Sequence, residues 1–277
     1  MLTALHIENR KYNNALSRIL GYIVGNSLKT EIKSINKHQI KFIKYTCKNN
    51  KINWQKIDKV VLAQRNRLLC SETLELPKKY GYKRFEDDEY KHRLCTNMAV
   101  SLLCSIKNAD FKVGLVDKEA IHTQLVKYLL KYIDNLTVVT DKVDDYLLVA
   151  ETELLETGVP IRLTKSEKAV HDCDFIIAPD GMNFSIGLKE SALVLSCKKP
   201  SADLECTVVY DYTVDLGEAI EGLCPHWLDK TYFASALYTQ LRIYQLGSLV
   251  PSLCVCNKGV HTILSLKAIL EKQNDKT

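Results

Sequence analysis

Short apolar runs alternate with amphipathic stretches between residues 111 and 181. The four runs cover residues 111–117, 136–140, 159–163 and 174–178. Their length and their content of Val, Ile, Leu and Phe are typical of strands that are buried on both faces. Apolar residues recur at helical spacing over residues 119–132 and 144–157, and a shorter helix is predicted over residues 167–172. This alternation predicts right-handed crossovers and a parallel sheet.

Two more apolar runs, residues 191–197 and 206–211, add two strands to the predicted sheet. Six strands in this order predict an α/β fold, namely a Rossmann-like doubly wound parallel sheet with a smaller N-terminal α/β domain. In such sheets, ligands lie outside the carboxyl ends of the strands, where the strand order reverses. The polar and turn residues predicted at those ends are Asp117, Thr140, Asp141, Pro179, Asp180, Asp211 and Tyr212.

The element order and the segment Val208-Val209-Tyr210-Asp211-Tyr212 resemble the cofactor domain of NAD(P)-dependent dehydrogenases. The resemblance is to the shikimate dehydrogenase and amino-acid dehydrogenase-like group in particular, and it extends over residues 111–216. It implies an NAD(P) cofactor, and it implies that the loop of residues 181–187 approaches that cofactor. The cofactor-binding candidates are therefore Asp117, Thr140, Asp141, Pro179, Asp180 and Asn183.

The chain departs from that group at the turn after the first strand of the sheet. A glycine-rich turn lets the backbone approach a pyrophosphate closely, but the turn here reads Val116-Asp117-Lys118-Glu119-Ala120. Two carboxylates at a helix start repel a diphosphate unless they are protonated or bridged by a metal. We therefore expect ordinary NAD(P) binding to be weak or absent, in a fold that has kept its architecture.

The candidate catalytic residues are Asp180, Asp211, Tyr212 and His226. If Asp117, Asp180 and Asp211 converge, their repulsion raises at least one pKa, which suits acid–base chemistry or a divalent cation. His226 is a candidate general base. The structural alternatives are that each aspartate caps the turn that follows it, that the strand ending at Tyr212 has one solvated face, and that His226 is a structural histidine.

The formal charge changes sign along the chain. Residues 1–110 contain 21 Lys and Arg against 10 Asp and Glu, a net of +11, and residues 111–277 have a net of −6. Because such a step often marks a boundary, we predict a small basic α/β domain over residues 1–106 and a Rossmann-like domain with C-terminal helices over residues 107–277. The first domain is also a candidate for nucleic-acid contact, although acidic residues 86–89 oppose it, because basic residues are interleaved with Tyr80, Tyr82 and Phe85. These basic residues are Lys78, Lys79, Lys83, Arg84, Lys91 and Arg93.

The remaining elements are predicted from apolar spacing and turn residues. Helices are expected over residues 5–24, 54–61, 87–103, 228–246 and 257–270. Residues 32–47 read as two strands with a turn near Asn36, with a helix as the rival interpretation, and residues 64–70 read as a strand. The chain contains no run of 18 apolar residues and no secretory signal pattern, so a cytoplasmic protein without membrane contact is expected.

Ten scattered cysteines without a Cys-x-x-Cys pair indicate buried free thiols. Cys254, Cys256 and His261 resemble a soft-metal set but lack a fourth ligand, so no metal site is predicted there.

Two classes of function follow. The first is a dehydrogenase-like or small-ligand-binding protein with a degenerate cofactor site, and the second is a non-catalytic interaction or regulatory protein that contacts nucleic acid through its basic first domain. A metal-assisted hydrolase that uses the aspartates is a third alternative, and a homodimer is the predicted assembly.

Overall fold

A computed structural model describes residues 1–10, 25–35, 38–48, 51–86, 89–106, 110–201, 203–241 and 249–274. They form two compact units. The first unit is Met1–Asp88 with Leu216–Ile243, and the second unit is Glu89–Asp215 with Tyr244–Thr277. No helix among the described residues is long and apolar enough to cross a membrane.

The second unit contains an eight-stranded sheet. Its strands are β5 (Val113–Val116), β6 (Leu136–Val139), β7 (Ile161–Thr164), β8 (Phe175–Ala178), β9 (Leu193–Ser196), β10 (Thr207–Thr213), β11 (Leu253–Cys256) and β12 (Gly259–Thr262). Their spatial order is β12-β11-β10-β9-β8-β5-β6-β7. All neighbours from β7 to β10 pair in parallel, and β11 and β12 extend the sheet in antiparallel fashion. The six parallel strands have the doubly wound order of a Rossmann sheet, which confirms the predicted fold class.

Helices cover this sheet. They are α2 (Glu89–Ser105), α3 (Thr123–Leu129), α4 (Val143–Thr157) and α7 (Ile263–Asn274), with a short 3-10 helix at Glu167–Val170. Helix α2 packs on β8, β9 and β10. The strands β5, β6, β8 and β9 are buried at every position, which is the reason that they appear in the sequence as continuous apolar runs.

Two predicted elements of the second unit need correction. Helix α3 begins at Thr123 rather than at residue 119, because the chain first makes a turn in which Ala120 has a positive φ of 55°. The predicted helix over residues 257–270 begins only at Ile263, because residues 253–262 form the β11–β12 hairpin. In that hairpin Cys254 pairs with His261 across the two strands.

The first unit is built on a four-stranded sheet in the order β2-β3-β1-β4. Its strands are β1 (Leu2–Asn9), β2 (Ser27–Ile35), β3 (His38–Cys47) and β4 (Leu68–Leu69). Strand β3 pairs in parallel with β1 and in antiparallel fashion with β2, so the two-strand interpretation of residues 32–47 is confirmed. The predicted turn at Asn36 lies outside the described residues.

The predicted helix over residues 5–24 is wrong where the chain is described, because Leu2–Asn9 is the strand β1. Leu2, Ala4 and Leu5 are all buried, and parallel pairing with β3 satisfies the backbone of this strand. A central strand buried on both faces has no period-2 alternation, so its apolar residues also match helical spacing. Residues 11–24 lie outside the described residues.

In the described part of the first unit the helices are α1 (Trp54–Val61), α5 (Glu218–Glu221) and α6 (Lys230–Leu241). Helix α6 contributes Phe233, Ala236 and Leu237 to a core that also contains Leu2 and Ile40. The compact units are therefore divided differently from the predicted domains 1–106 and 107–277: helix α2 packs on the large sheet, and α6 packs with β1. A domain boundary at residues 106 and 107 stays a prediction.

Candidate functional site

The strand order of the large sheet reverses between β5 and β8. From β5 the chain proceeds through β6 to β7 on one side, and from β8 it proceeds through β9 to β10 on the other. In sheets of this kind the turns after two such neighbouring strands splay apart and leave a crevice, which is the usual place for a ligand. Asp117 follows β5, and Asp180 follows β8 after Pro179.

The carboxylate of Asp117 is hydrogen-bonded to the backbone of the turn that follows β5. It accepts hydrogen bonds from the backbone N–H of Ile121 at 3.0 Å and of His122 at 2.7 Å. A third hydrogen bond comes from the hydroxyl of Tyr146 in α4, at 2.6 Å. Asp117 and Tyr146 are both fully buried. The predicted capping role of Asp117 is thus confirmed, and the free N–H groups of this turn are directed at a side chain of the protein itself.

Three further side chains meet beside this turn. Asp180 Oδ1 lies 3.4 Å from Nε2 of His92, which is in the first turn of α2. Asp180 Oδ2 lies 3.8 Å from Nε2 of His122. The two imidazole rings are perpendicular, with centroids 5.6 Å apart. One ligand atom from each of the three residues lies within 4.8 Å of the other two.

Two buried atoms of this cluster, His122 Nε2 and Asp180 Oδ2, find no hydrogen-bond partner among the residues that the structure describes. Burial lowers the pKa of His122, and the negative charges of Asp117 and Asp180 oppose this effect. Burial therefore favours the neutral imidazole, whose second nitrogen can accept a hydrogen bond or bind a metal ion. Buried polar atoms without partners are uncommon, and they mark this cluster as a place where a ligand can add missing contacts.

The other cofactor-binding candidates differ in their burial, and two of them make local hydrogen bonds. Thr140 is buried, and its hydroxyl bonds to the backbone of Lys118 and Lys142. Asp141 is exposed and Pro179 is buried. Asn183 is exposed, and its side-chain oxygen caps a short 3-10 helix by accepting the N–H of Ser185.

The catalytic candidates do not come together as one cluster. Asp211 is exposed on β10, and β9 separates β10 from β8, which leads to Asp180. Tyr212 is buried in the core, where its hydroxyl donates to the carbonyl of Ser196 at 2.9 Å. His226 is exposed and belongs to the first unit. Of the predicted catalytic residues, Asp180 is the one beside the two histidines.

Cys254 and Cys256 lie on β11, and His261 lies on β12. The Cys254 thiol donates to the carbonyl oxygen of His261 at 3.4 Å, while the His261 ring faces Ser265 at 3.2 Å. Among the described residues, the one set of side chains with metal-ligand spacing is His92, His122 and Asp180, which does not include these three.

The sequence pattern did not single out His92 or His122. His122 lies five residues after Asp117, in the turn where a Rossmann domain has its glycine loop. A titratable residue at that place could have been predicted as a site residue. His92 had no such signal, because Lys91 and Arg93 beside it made the segment look like a basic surface. The folding of α2 onto the large sheet places His92 beside Asp180.

A second concave surface belongs entirely to the first unit. It is a cavity of about 400 Å³ whose lining includes Lys29, Lys33, Lys44, Phe42, His6 and Trp227. The rings of His6 and Trp227 are stacked with centroids 4.9 Å apart, and Lys33 lies over the ring of Phe42. Glu8, which bonds to Lys44 at 3.0 Å, offsets part of this positive charge.

The basic and aromatic residues that the sequence suggested for nucleic-acid contact are arranged differently. Tyr82 and Phe85 are buried in the cores of the first unit, so their rings cannot stack on bases. Lys91 and Arg93 lie on α2 and so belong to the second unit. Tyr82 and Phe85 thus offer no stacking faces, and nucleic-acid contact through the other residues of this segment stays a prediction.

No protein-family model matches this chain, and no curated protein matches it either. Among solved structures, Δ1-pyrroline-2-carboxylate reductase of Thermococcus litoralis in complex with NADH and L-proline is similar with a TM-score of 0.28 and 13% identity. The match covers 63% of this chain and 59% of the reductase, less than two thirds of its length. L-tryptophan dehydrogenase of Nostoc punctiforme is similar with a TM-score of 0.35 and 11% identity, over 88% of this chain and 75% of the dehydrogenase. Both scores are low, so the assignment of the fold stands on the strand order of the sheet.

Proposed function

We propose that this chain binds a small ligand at the carboxyl ends of β5 and β8, and that it does not hold a nicotinamide dinucleotide there in the ordinary Rossmann manner. The observation that carries the proposal is the hydrogen bonding of Asp117. Its carboxylate accepts the N–H groups of Ile121 and His122, which belong to the turn where a Rossmann domain receives the pyrophosphate.

A comparison of interaction energies also disfavours a phosphate at this turn. A helix N-terminus stabilises an anion by about 0.3–1 kcal/mol in exposed sites. Repulsion between two unit charges 4 Å apart costs about 4 kcal/mol at an effective dielectric constant of 20. A phosphate seated over this turn would lie against the buried carboxylate of Asp117, and the N–H groups would not be available to compensate. Repulsion therefore exceeds the attraction that the turn can offer.

What the crevice offers instead is two imidazole rings and one carboxylate. His92 and His122 are mostly buried, with 17% and 12% of their side chains exposed, whereas Asp180 is 36% exposed. Groups of this kind suit a small polar ligand that bonds to nitrogen and oxygen atoms at short range. A dehydrogenase-like activity would require a cofactor held elsewhere or differently.

Calorimetric titration with NADH, NADPH and S-adenosylmethionine tests the proposal directly. We expect no saturable binding of NADH or NADPH at concentrations up to about 1 mM. A Kd of about 1 mM corresponds to a binding free energy of about −4 kcal/mol. Saturable binding at micromolar concentration would overturn the exclusion of a dinucleotide.

A thermal-shift screen of amino acids, hydroxy acids and nucleobases tests the positive half of the proposal. A ligand that occupies the crevice is expected to stabilise the wild-type protein and to lose this effect in Asp180→Asn and His122→Gln. The matched control is His171→Gln, an exposed histidine of the same unit that lies 3.9 Å from Asp172. Ligand responses that persist unchanged in both crevice variants would place the ligand elsewhere.

A second candidate function follows from the cavity of the first unit. We infer that this unit binds a phosphate-containing polyanion such as single-stranded nucleic acid. Lysines 29, 33 and 44 provide positive charge, and Phe42 and Trp227 provide aromatic faces on which bases can stack. Glu31 in the same lining and Glu8 beside Lys44 reduce the net charge, so moderate affinity is expected.

Salt dependence tests this second function with a labelled single-stranded oligonucleotide. For single strands, each phosphate that is neutralised contributes a slope of about −0.7 to log K against log salt concentration. Replacing Lys29, Lys33 and Lys44 with Gln is expected to reduce the slope by about 2. The control replaces Lys78 and Lys79, two exposed lysines outside the cavity lining. An equal loss of affinity in both variants would contradict a specific site.

A further inference from the structure

We propose that His92, His122 and Asp180 bind one divalent transition-metal ion. This inference deepens the proposed function, since the ion would form part of the small-ligand site at the carboxyl ends of β5 and β8. It rests on the geometry of the three side chains, which belong to one compact unit.

The separations of the ligand atoms suit a metal ion. Asp180 Oδ1 is 3.4 Å from His92 Nε2, and Asp180 Oδ2 is 3.8 Å from His122 Nε2. Ligands at about 2.1 Å from a tetrahedral ion are separated from each other by about 3.4 Å. These two separations lie within about 0.4 Å of that value, and all three ligand atoms lie within 4.8 Å of one another, so the most distant pair must close by no more than about 1.4 Å. The two separations are also longer than good N–H···O hydrogen bonds, so the pairs are not optimised for direct contact with each other.

The atoms that a metal would bind are those that lack partners. His122 Nε2 and Asp180 Oδ2 are buried and accept or donate no hydrogen bond within the described structure. The two atoms are 3.8 Å apart. An ion bound between the two histidines and the carboxylate would satisfy both of them at once.

The supporting contacts hold His122 and Asp180 in place. The backbone N–H of His122 donates to Asp117 Oδ2, which is itself held by the hydroxyl of Tyr146. Asp180 lies in a tight turn in which the N–H of Gly181 donates to the carbonyl of Ala178 at 2.9 Å. Gly181 has a positive φ of 84°, which favours glycine at this turn. These contacts fix the backbone positions of two of the three ligand residues, and a site on rigid elements keeps its ligands in place.

The ligand types indicate the class of metal. Imidazole nitrogens suit Zn²⁺, Fe²⁺, Co²⁺ and Ni²⁺, whereas Mg²⁺ and Ca²⁺ prefer oxygen ligands. Two histidines and one carboxylate are three protein ligands, which leaves at least one position on the ion for water or a small ligand. We therefore expect a site that keeps an open coordination position, and not a closed structural zinc site with four protein ligands.

Titration of the chelator-treated full chain with ZnCl₂ by calorimetry is the test. We expect one Zn²⁺ per chain at the site and a loss of at least about tenfold in affinity for His92→Gln, His122→Gln and Asp180→Asn. His171→Gln is the control, because its exposed ring faces Asp172 outside the cluster, and it should bind as the wild-type protein does. Far-ultraviolet circular dichroism confirms that each variant is folded.

Substitution of Co²⁺ for Zn²⁺ separates this site from adventitious binding by the ten cysteines. A nitrogen–oxygen site gives visible d–d bands without an intense thiolate charge-transfer band. Absence of saturable Zn²⁺ binding, an intense thiolate band, or unchanged affinity in all three ligand variants would overturn the proposal. Because the probe is the metal alone, a negative result leaves the outcome of the dinucleotide titration unaffected.

Discussion

The hydroxyl of Tyr146 donates a 2.6 Å hydrogen bond to Oδ2 of Asp117, and both side chains are fully buried. This contact joins helix α4 to the turn after β5, and Asp117 in turn holds the backbone of His122. The pair thus connects the packing of the second unit to the residues of the proposed metal site. Removing this hydrogen bond is therefore expected to lower the stability of the folded protein and to weaken metal binding.

Replacing Tyr146 with Phe should lower the free energy of unfolding by about 1–3 kcal/mol, because a buried carboxylate loses a charge-assisted hydrogen bond. Urea denaturation followed by circular dichroism measures this change. The control is Tyr210→Phe, since Tyr210 is half-buried and its ring lies under the ammonium group of Lys199. Equal effects of the two substitutions would contradict a special role for the Tyr146 hydroxyl.

The contribution of Tyr146 should also depend on pH. Burial, together with the charge of Asp117, raises the pKa of Tyr146 far above its usual value in the folded protein. Below about pH 10 the hydroxyl is protonated in both states, so its stabilisation is fully present. Above about pH 10 only the unfolded chain loses the proton, and the advantage of the wild-type protein over Tyr146→Phe should fall by about 1.4 kcal/mol per pH unit. Urea denaturation of both proteins between pH 8 and 11 checks this, and a constant difference would refute it.

Gly114 in β5 is predicted to tolerate no side chain. A Cβ atom at this position would lie 2.7 Å from Cγ1 of Val170 and 3.3 Å from Sγ of Cys173. Gly114→Ala should therefore destabilise the protein by about 1–3 kcal/mol through overpacking. Combining it with Val170→Ala should restore part of the loss, and the double-mutant cycle measures the coupling. Strictly additive effects would show that the two positions do not compete for the same space.

Trp227 should report occupancy of the cavity in the first unit. The chain has two tryptophans, Trp54 and Trp227, and Trp227 lines the cavity in stacking contact with His6. An oligonucleotide bound there should quench the emission of the wild-type protein and of Trp54→Phe, because base stacking on Trp227 is retained in both. The quenching should be lost in Trp227→Phe. Quenching that is lost in Trp54→Phe and retained in Trp227→Phe would contradict binding in this cavity.

The Rossmann-like sheet could be predicted because its determinants are local. Buried parallel strands appear as short apolar runs, as in β5, and Gly158 marks the end of α4. The capping by Asp117 was also predictable, since a carboxylate before a helix start finds free N–H groups within a few residues. The strand β1 was not, because its burial depends on two cores from distant elements, one containing Leu2 and Ala4 and the other Leu5.

The candidate site was only partly predictable for the same reason. Asp180 follows from the rule that ligands lie at the carboxyl ends of parallel strands. His92 joins it through the packing of α2 on β8, β9 and β10, which no spacing in the sequence encodes. The expected grouping of Asp180 with Asp211 did not occur, because β9 lies between their strands.

The sequence by itself determined the alternation of strands and helices, the absence of a glycine turn after β5 and the acid that replaces it, since each depends on neighbouring residues alone. Only the tertiary structure decided that two histidines far apart in the chain would face Asp180, because such a meeting depends on how whole elements pack and on the order in which strands join the sheet.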